Sequence, residues 1–426
     1  MPDQTAPSLL FVGGAANATL AVDVVATAVA QARKRGLRIH MTNQEETFAA
    51  LPATTALADA ASVVDFEKRG EHAAWAGERL AAGENFDIVF GVREMAQEAV
   101  AEAAEAFGRP GNPPHVVNRV RNKDAARAAL SAAGFLQPAC QVFADAASAL
   151  EFLKNSTGPW VVKPRDAMGS EGVTRLDEPA QLEAALKLMP HQGAFIVEEF
   201  VEGPEYSVEG VFIGGAPHML AVTSKELLPP PHFFEVEYLI PAPMPEETER
   251  EIVEQVTAAL HALEVRFGQF HVELWVTERG VVMGEVHVRN AGGWIHRMLA
   301  HVIPGLEWFG LVFDDVLGLP IDKAALVPSR GAAIRFLTPT PGRLLAIEGW
   351  EEVLAHPAVL YAELAVAVGD VIHPYESVEH RVATIAVGAD TAIEARDLLD
   401  KLEASVRFVT EPVEPAAVSA GVAEHA

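Results

Sequence analysis

The stretch Phe270-His-Val-Glu-Leu-Trp-Val-Thr-Glu-Arg-Gly-Val-Val-Met-Gly-Glu-Val-His-Val-Arg-Asn290 constrains the chain more than any other. Its β-branched and aromatic residues predict two strands, 270–277 and 281–289. Between them Glu278-Arg279-Gly280 reads as a three-residue turn, with Gly280 at the left-handed last position. Folding about Arg279 sets Glu273 opposite Glu285. It also sets His271 opposite His287 on the same face, because side chains alternate. Opposed side chains lie roughly 5 Å apart at Cβ, and like charges there destabilise a hairpin. Three arrangements relieve this: a cation between the carboxylates, a shared proton, or a pairing shifted by one residue. Magnesium is the best-suited cation, since it takes oxygen ligands and joins one or two carboxylates to substrate phosphates. Two unconnected acids on an exposed face are the plain alternative.

The chain has 426 residues, enough for two or three domains with their own cores. Half of it is apolar, which excludes disorder as its general state. With 32 basic and 59 acidic residues its formal charge is −27. That excess argues against nucleic acid or anionic membrane as the main partner, because phosphate binding relies on clustered Lys and Arg. The single Cys140 forms no intramolecular disulfide and reads as a small core residue suited to a reducing cytosol. No basic segment precedes Leu9-Leu10-Phe11-Val12, and no apolar run is long enough to span a bilayer, so a cytoplasmic protein is expected.

Residues 8–12, 37–40 and 87–90 read as short strands around an Ala/Val-rich helix at 20–35, which predicts a small parallel α/β unit over 1–115. Gly13-Gly14 lacks the third glycine and spacing of a dinucleotide fingerprint and reads as a strand-to-helix turn. Pro110-Gly-Asn-Pro-Pro114 marks a boundary. A central region, 116–328, starts with a helix from Lys123 and contains a subdomain at about 155–225. In it the strand Trp160-Val-Val-Lys-Pro164 leads into the Gly-bearing loop 165–172, followed by a helix at 179–188 and a strand at 194–201. A helix at 246–264 precedes the acidic hairpin. A further α/β unit is expected over 329–411, and 412–426 reads as a loose tail.

The loop after Lys163 brings glycines whose backbone N–H groups can approach phosphate oxygens, beside a lysine point charge. It is not a P-loop, since no Gly-Lys-Ser/Thr follows, and a surface hairpin remains an alternative. The order of the pieces carries more. Lys123 comes first, then Lys163 with its loop, then Val197-Glu-Glu-Phe-Val-Glu-Gly-Pro-Glu-Tyr206, a lone Lys225, and last the paired glutamates with Arg289. In that order the chain resembles the ATP-grasp superfamily of carboxylate–amine ligases, from about Asn118 to Arg297. The resemblance implies an ATP-grasp fold of α/β class, α+β in its centre. An N-terminal Rossmann-like pre-ATP-grasp domain, a central ATP-binding domain with a mobile lid, and a C-terminal α/β domain would compose it.

The resemblance also implies roles. Lys123 and Lys163 hold the phosphates of ATP, and loop 165–172, with Gly169, Ser170 and Gly172, forms the lid over them. Glu198, Glu199 and Val201 lie on the hinge strand that reads adenine. Glu205 binds the ribose, Lys225 faces the nucleotide, and Glu273 and Glu285 bind magnesium, with manganese as an alternative cation. Many relatives read Glu-x-Asn-x-Arg, where this chain has Glu285-Val-His-Val-Arg289. His287 therefore stands where an amide oxygen is usual. It either ligates metal itself or contacts substrate while water replaces that oxygen. Arg289 holds the carboxylate being activated. Each residue also has a plain reading. Lys123 is a solvated helix start, Glu205 a turn residue, His271 a packed histidine, and Arg289 one half of an ion pair.

Gly284-Glu-Val-His-Val-Arg-Asn-Ala-Gly-Gly-Trp294 and Lys225…Phe233-Phe-Glu235 resemble most the L-amino-acid ligase branch. That branch places Glu235, Arg289, Asn290, Gly293 and Trp294 near the substrates, a small carboxylate and a small amine. The implied reaction is ATP-dependent amide formation through an acyl phosphate, releasing ADP and phosphate. Two other classes stay open: an ATP-grasp carboxylase acting on a separate carrier protein, and a non-catalytic nucleotide-binding regulator. The sequence leaves the assembly open, with a homodimer as one candidate.

Overall fold

The computed structural model describes residues 6–165, 171–190, 193–229, 233–375 and 380–413. Among them, the N-terminal strands Ala60–Val63, Arg38–Asn43, Ser8–Val12 and Ile88–Phe90 pair in that order, all parallel. Ser8–Val12 is buried throughout, as a central parallel strand covered on both faces must be. The helices Thr19–Lys34 and Gln97–Phe107 supply apolar faces rich in Ala and Val to the cores on either side.

A second sheet is antiparallel, in the order Cys140–Phe143, Phe195–Glu199, Trp160–Pro164 and Thr174–Leu176. The helix Ala146–Asn155 packs on it, capped by the Asp145 carboxylate, which accepts from the Ser148 amide. The helix expected at 179–188 is shorter: a 3₁₀ turn, Pro179–Gln181, leads into Leu182–Leu186. Glu178 and Gln181 close a capping box around that turn, which fixes where it begins.

The largest sheet is antiparallel throughout. Its order is Gly280–His287, Gln269–Thr277, Glu205–Ile213, Ala216–Leu227, Glu235–Ile240, Gly331–Leu337, Ala383–Ala389 and Val359–Leu364. The last three strands lie beyond residue 328, so part of the C-terminal unit extends the central sheet. Gly331–Leu337 is nearly all buried, and helices Ile295–Val302 and Ala392–Ser405 both pack on it. A small sheet of Val371–Ile372, Gly342–Glu348 and Arg407–Glu411 completes the fold. The N-terminal unit docks on the helix Trp308–Leu317 through Arg35. Its guanidinium reaches Glu307 and Asp314, each at 2.6 Å.

The acidic hairpin departs from expectation in its register. Thr277 pairs with Gly280, so the turn is one residue tighter, and pairs from Leu274↔Met283 outward are offset by one. Gly280 does take a left-handed φ of +109°. The offset is removed by a bulge between Val272 and Leu274, after which His271 does face His287. At the bulge Gly284 and Glu285 together face Glu273, so the two glutamates are not a simple opposed pair. A side chain at Gly284 would put its Cβ 2.6 Å from the Glu273 carbonyl oxygen, which is why a glycine sits in this otherwise β-branched strand.

Candidate active site

Alternation places one polar face across the middle of the large sheet. Glu273 pairs with Ser207, His271 with Glu209, and Lys225 with Glu205. Glu209 is fully buried and accepts from Ser207 Oγ at 2.7 Å, from Thr223 Oγ1, and from His271 Nδ1 at 2.9 Å. The other His271 nitrogen lies 3.3 Å from Glu273. Burial alone would lower the pKa of His271, but the hydrogen bonds to Glu209 and Glu273 outweigh it and raise it.

Three lysines converge on the two hairpin carboxylates. Lys225 contacts Glu273 directly and lies 3.5 Å from Glu205 and 3.6 Å from Glu235. Lys123 lies 3.1 Å and Lys163 3.5 Å from Glu285. Burial pushes the Glu285 carboxyl up, yet these two ammonium groups bring it down to about 2. Glu273 is likewise held well below the usual carboxylate range, by Lys225 and His271 against its burial. Glu205 moves the other way, to about 7, because burial and the charges of Glu273 and Glu235 outweigh Lys225. The donor set fits a divalent cation: Glu273, Glu285 and His287 each offer one ligand atom, all within 4.8 Å of one another.

The strand Phe195–Glu199, where adenine is expected to bind, behaves less simply. The Glu198 side chain is turned inward to Lys163 at 2.7 Å and Arg127 at 2.8 Å, all three nearly excluded from solvent. Glu199 points outward to Arg279 at the hairpin tip, 2.9 Å away. Val201 is buried. Removing one partner of a buried charge cluster leaves the others uncompensated. Glu198→Ala is therefore expected to lose about 3–5 kcal/mol of unfolding free energy in a urea titration. A loss within about 0.5 kcal/mol, the range of an ordinary surface substitution, would contradict that cluster.

Of the residues expected near the substrates, Glu235 joins the cluster through Lys225 and lies 3.7 Å from Arg381. Arg289 donates from Nε to Glu94 at 2.7 Å and from Nη1 to the Asn290 carbonyl at 2.8 Å. The buried Asn290 amide donates to Ala291 O, and its Oδ1 has no partner among the described residues. Gly293 has φ +56° and lies against the Tyr238 ring. Trp294 is 4 % exposed and stacks on Tyr361 at 3.5 Å, which commits its ring to packing against a C-terminal strand. Gly172 has φ +69° and lies against Met189 and Pro190. Gly169 and Ser170 fall outside the described residues. Arg165, the first residue of that loop, grips Asp124 with two bonds, at 3.0 and 2.8 Å, next to Lys123.

Glu94, Arg127 and Glu209 were not anticipated. Glu94 follows the N-terminal strand Ile88–Phe90 and is held by Arg289, by His287 Nδ1 at 2.9 Å, and by Arg121 at 3.6 Å. Its burial would raise its pKa, but the two guanidinium groups and the hydrogen bond from His287 depress it strongly. The signal for it was its place just past the carboxyl end of a parallel strand, where open α/β sheets bind ligands. Arg127 and Glu209 were marked by spacing alone. Arg127 is one helical turn after Lys123, and Glu209 is four strand positions after Glu205.

Residues 156–297 match the family model described as ATP-grasp domain. The chain contains an ATP-grasp domain. Its C-terminal part, 335–411, matches L-amino acid ligase C-terminal domain 2. Similar to this ATP-grasp chain is the uncharacterised protein y4rH of Sinorhizobium fredii, 28 % identical over 355 residues, covering 79 % of this chain and 71 % of that one. A D-alanine–D-alanine ligase of Marinomonas sp. is 26 % identical over 235 residues, covering 52 % of this chain and 68 % of that one. Among solved structures, an L-amino acid ligase from Bacillus licheniformis superposes with TM-score 0.78 at 24 % identity, over 96 % of this chain and 100 % of that one. A phosphoribosylglycinamide synthetase from Anaerococcus prevotii does so with TM-score 0.66 at 15 % identity, over 95 % and 100 %. These two superpositions establish a shared ATP-grasp fold. No helix of the described residues is long and apolar enough to cross a membrane.

Proposed function

We propose that this ATP-grasp ligase uses ATP to join the carboxylate of an amino acid or analogue to an amine or a second amino acid, through an acyl phosphate. The observation that carries this reading is the convergence of Lys123, Lys163 and Lys225 on Glu273 and Glu285, with Arg289 two residues past the end of the strand that carries Glu285. Three cations beside two carboxylates suit a polyphosphate that arrives with its own divalent ion. The L-amino acid ligase C-terminal domain and the D-alanine–D-alanine ligase relative support an amino-acid substrate class.

A substrate carboxylate oxygen attacks the γ-phosphorus, the bond to the β-phosphate oxygen breaks, and ADP leaves. The amine nitrogen then attacks the acyl carbon, the carbon–oxygen bond to phosphate breaks, and the departing phosphate takes the amine's proton. Lys123 and Lys163 hold the β- and γ-phosphates, and Arg289 holds the carboxylate and the charge that develops on it. Magnesium, when bound by Glu273 and Glu285, supplies Lewis-acid neutralisation of the phosphate oxygens. Glu205 takes the ribose hydroxyls, and the strand end at Glu198–Val201 takes adenine. An acyl phosphate hydrolyses if water enters, and the lid expected at 165–172 to prevent this falls largely outside the described residues. We divide the chain into units 1–115, 116–328 and 329–411, and place the enzyme in the cytoplasm, acting on small molecules.

A phosphate-release screen of amino-acid pairs with mass detection tests this. ADP and phosphate are expected in equal amounts with one amide product. Oxygen-18 from the substrate carboxylate is expected in the phosphate. AMP and pyrophosphate as stoichiometric products would overturn the acyl-phosphate route.

A further inference from the structure

We infer that His287 is a nitrogen ligand of the metal in this site, and that the site favours manganese over magnesium. The inference rests on the reading of Glu273 and Glu285 as metal ligands.

The argument starts at the other ring nitrogen. His287 Nδ1 lies 2.9 Å from Glu94 Oε2 and 3.4 Å from an Arg289 Nη. A carboxylate only accepts and a guanidinium only donates. The shorter contact decides, so Nδ1 carries the proton and donates to Glu94. Arg289 Nε donates to that same Glu94 oxygen at 2.7 Å, and Arg121 lies 3.6 Å from the other. Glu94 is thereby fixed from two sides and holds the imidazole plane.

That leaves the Nε2 lone pair turned toward the carboxylates. It lies 3.7 Å from Glu285 Oε2, too far for a hydrogen bond and close to the separation of two ligands on one small cation, roughly 3–4 Å for bonds near 2.1 Å. One face of the ring is braced by His271, stacked at 5.6 Å with 22° between planes. His271 does not compete for the ion, because its two nitrogens are taken by Glu209 and Glu273. Carboxylate, histidine and metal in series is how proteins orient imidazole ligands, and the outer carboxylate commonly sets affinity by ten- to a hundredfold. Here that carboxylate comes from the N-terminal unit. Carboxylate and water suit magnesium and manganese alike, but magnesium is the harder ion and takes oxygen ligands, so an imidazole nitrogen in the shell shifts the balance toward the transition metal.

The test uses the full chain with manganese and ATPγS, read by pulsed EPR. Wild type is expected to show nitrogen-14 modulation that changes when histidine is labelled with nitrogen-15. In His287→Asn the histidine modulation disappears while manganese still binds. The ratio of manganese to magnesium affinity, from competition, falls at least tenfold. Glu94→Gln weakens manganese binding about ten- to a hundredfold. Manganese bound to wild type without any histidine coupling overturns the nitrogen ligand and leaves the metal site standing. Binding unchanged in Glu273→Gln/Glu285→Gln overturns the metal site itself.

Discussion

The Glu273→Gln/Glu285→Gln enzyme is expected to lose ligation by at least about a thousandfold while still binding nucleotide. Lewis-acid neutralisation of a transferring phosphoryl group is worth several kcal/mol, and each 1.4 kcal/mol is tenfold in rate. Glutamine keeps the shape of both side chains and removes the charge that holds a cation. The lysines respond in the opposite sense. Lys123 and Lys163 now rest on Glu285, and Lys225 on Glu273. With both hairpin carboxylates neutral, fewer acids compete with the phosphates for these lysines, although Lys163 keeps Glu198 and Lys225 keeps Glu205 and Glu235, so metal-free ATP is expected to bind within a few-fold of wild type or better. Affinity for ATP with magnesium falls. Calorimetry with and without the ion, beside steady-state phosphate release, separates the two. Wild-type turnover from the double variant would remove both residues from the site.

Much of this site was legible because its parts are local. Lys123, Lys163, Lys225, Glu273 and Glu285 each stand at a recognisable point of a helix start, a strand end or an alternating strand, and their order along the chain is informative. The structure gathers all five. What could not be read depends on pairing between distant segments. Glu94 is 193 residues from the histidine it orients. Nothing in Gly91-Val-Arg-Glu94 marks it except its place after a parallel strand. Period-two alternation fits either hairpin register, and only Gly284 hinted at the bulge that chooses between them. The joining of Gly331–Leu337 to the central sheet is also non-local. Its run of buried residues shows that neighbours are needed, not which strands supply them. Trp294 is expected near the substrates from the resemblance of Gly284 to Trp294 to the L-amino-acid ligase branch. Its left-handed backbone, φ +62°, turns it onto Tyr361, a non-local contact that the sequence does not show.

Arg289→Lys is expected to keep ATP affinity within a few-fold and to lose about 10²–10³ in turnover, the usual effect of removing one donor to developing charge. The guanidinium has five N–H groups in a fixed fork. In the structure Nε is spent on Glu94 and one Nη1 hydrogen on the Asn290 carbonyl. Three N–H groups remain, and a carboxylate being phosphorylated takes two of them side by side. Lysine offers a point charge on a flexible stem and cannot hold Glu94 and a substrate in one plane. In the proposed mechanism the nucleotide's phosphates are held by Lys123 and Lys163, which contact Glu285 and which the substitution does not touch. The loss should therefore fall on kcat and on the affinity for the carboxylate, with the ATP dissociation constant nearly constant. Glu94 also gains from the comparison. In Arg289→Lys it keeps Arg121 and His287, so the fold should hold, and a thermal midpoint close to wild type checks that. If instead ATP affinity collapses while turnover at saturation survives, Arg289 serves the nucleotide, and the acyl site lies elsewhere on the sheet.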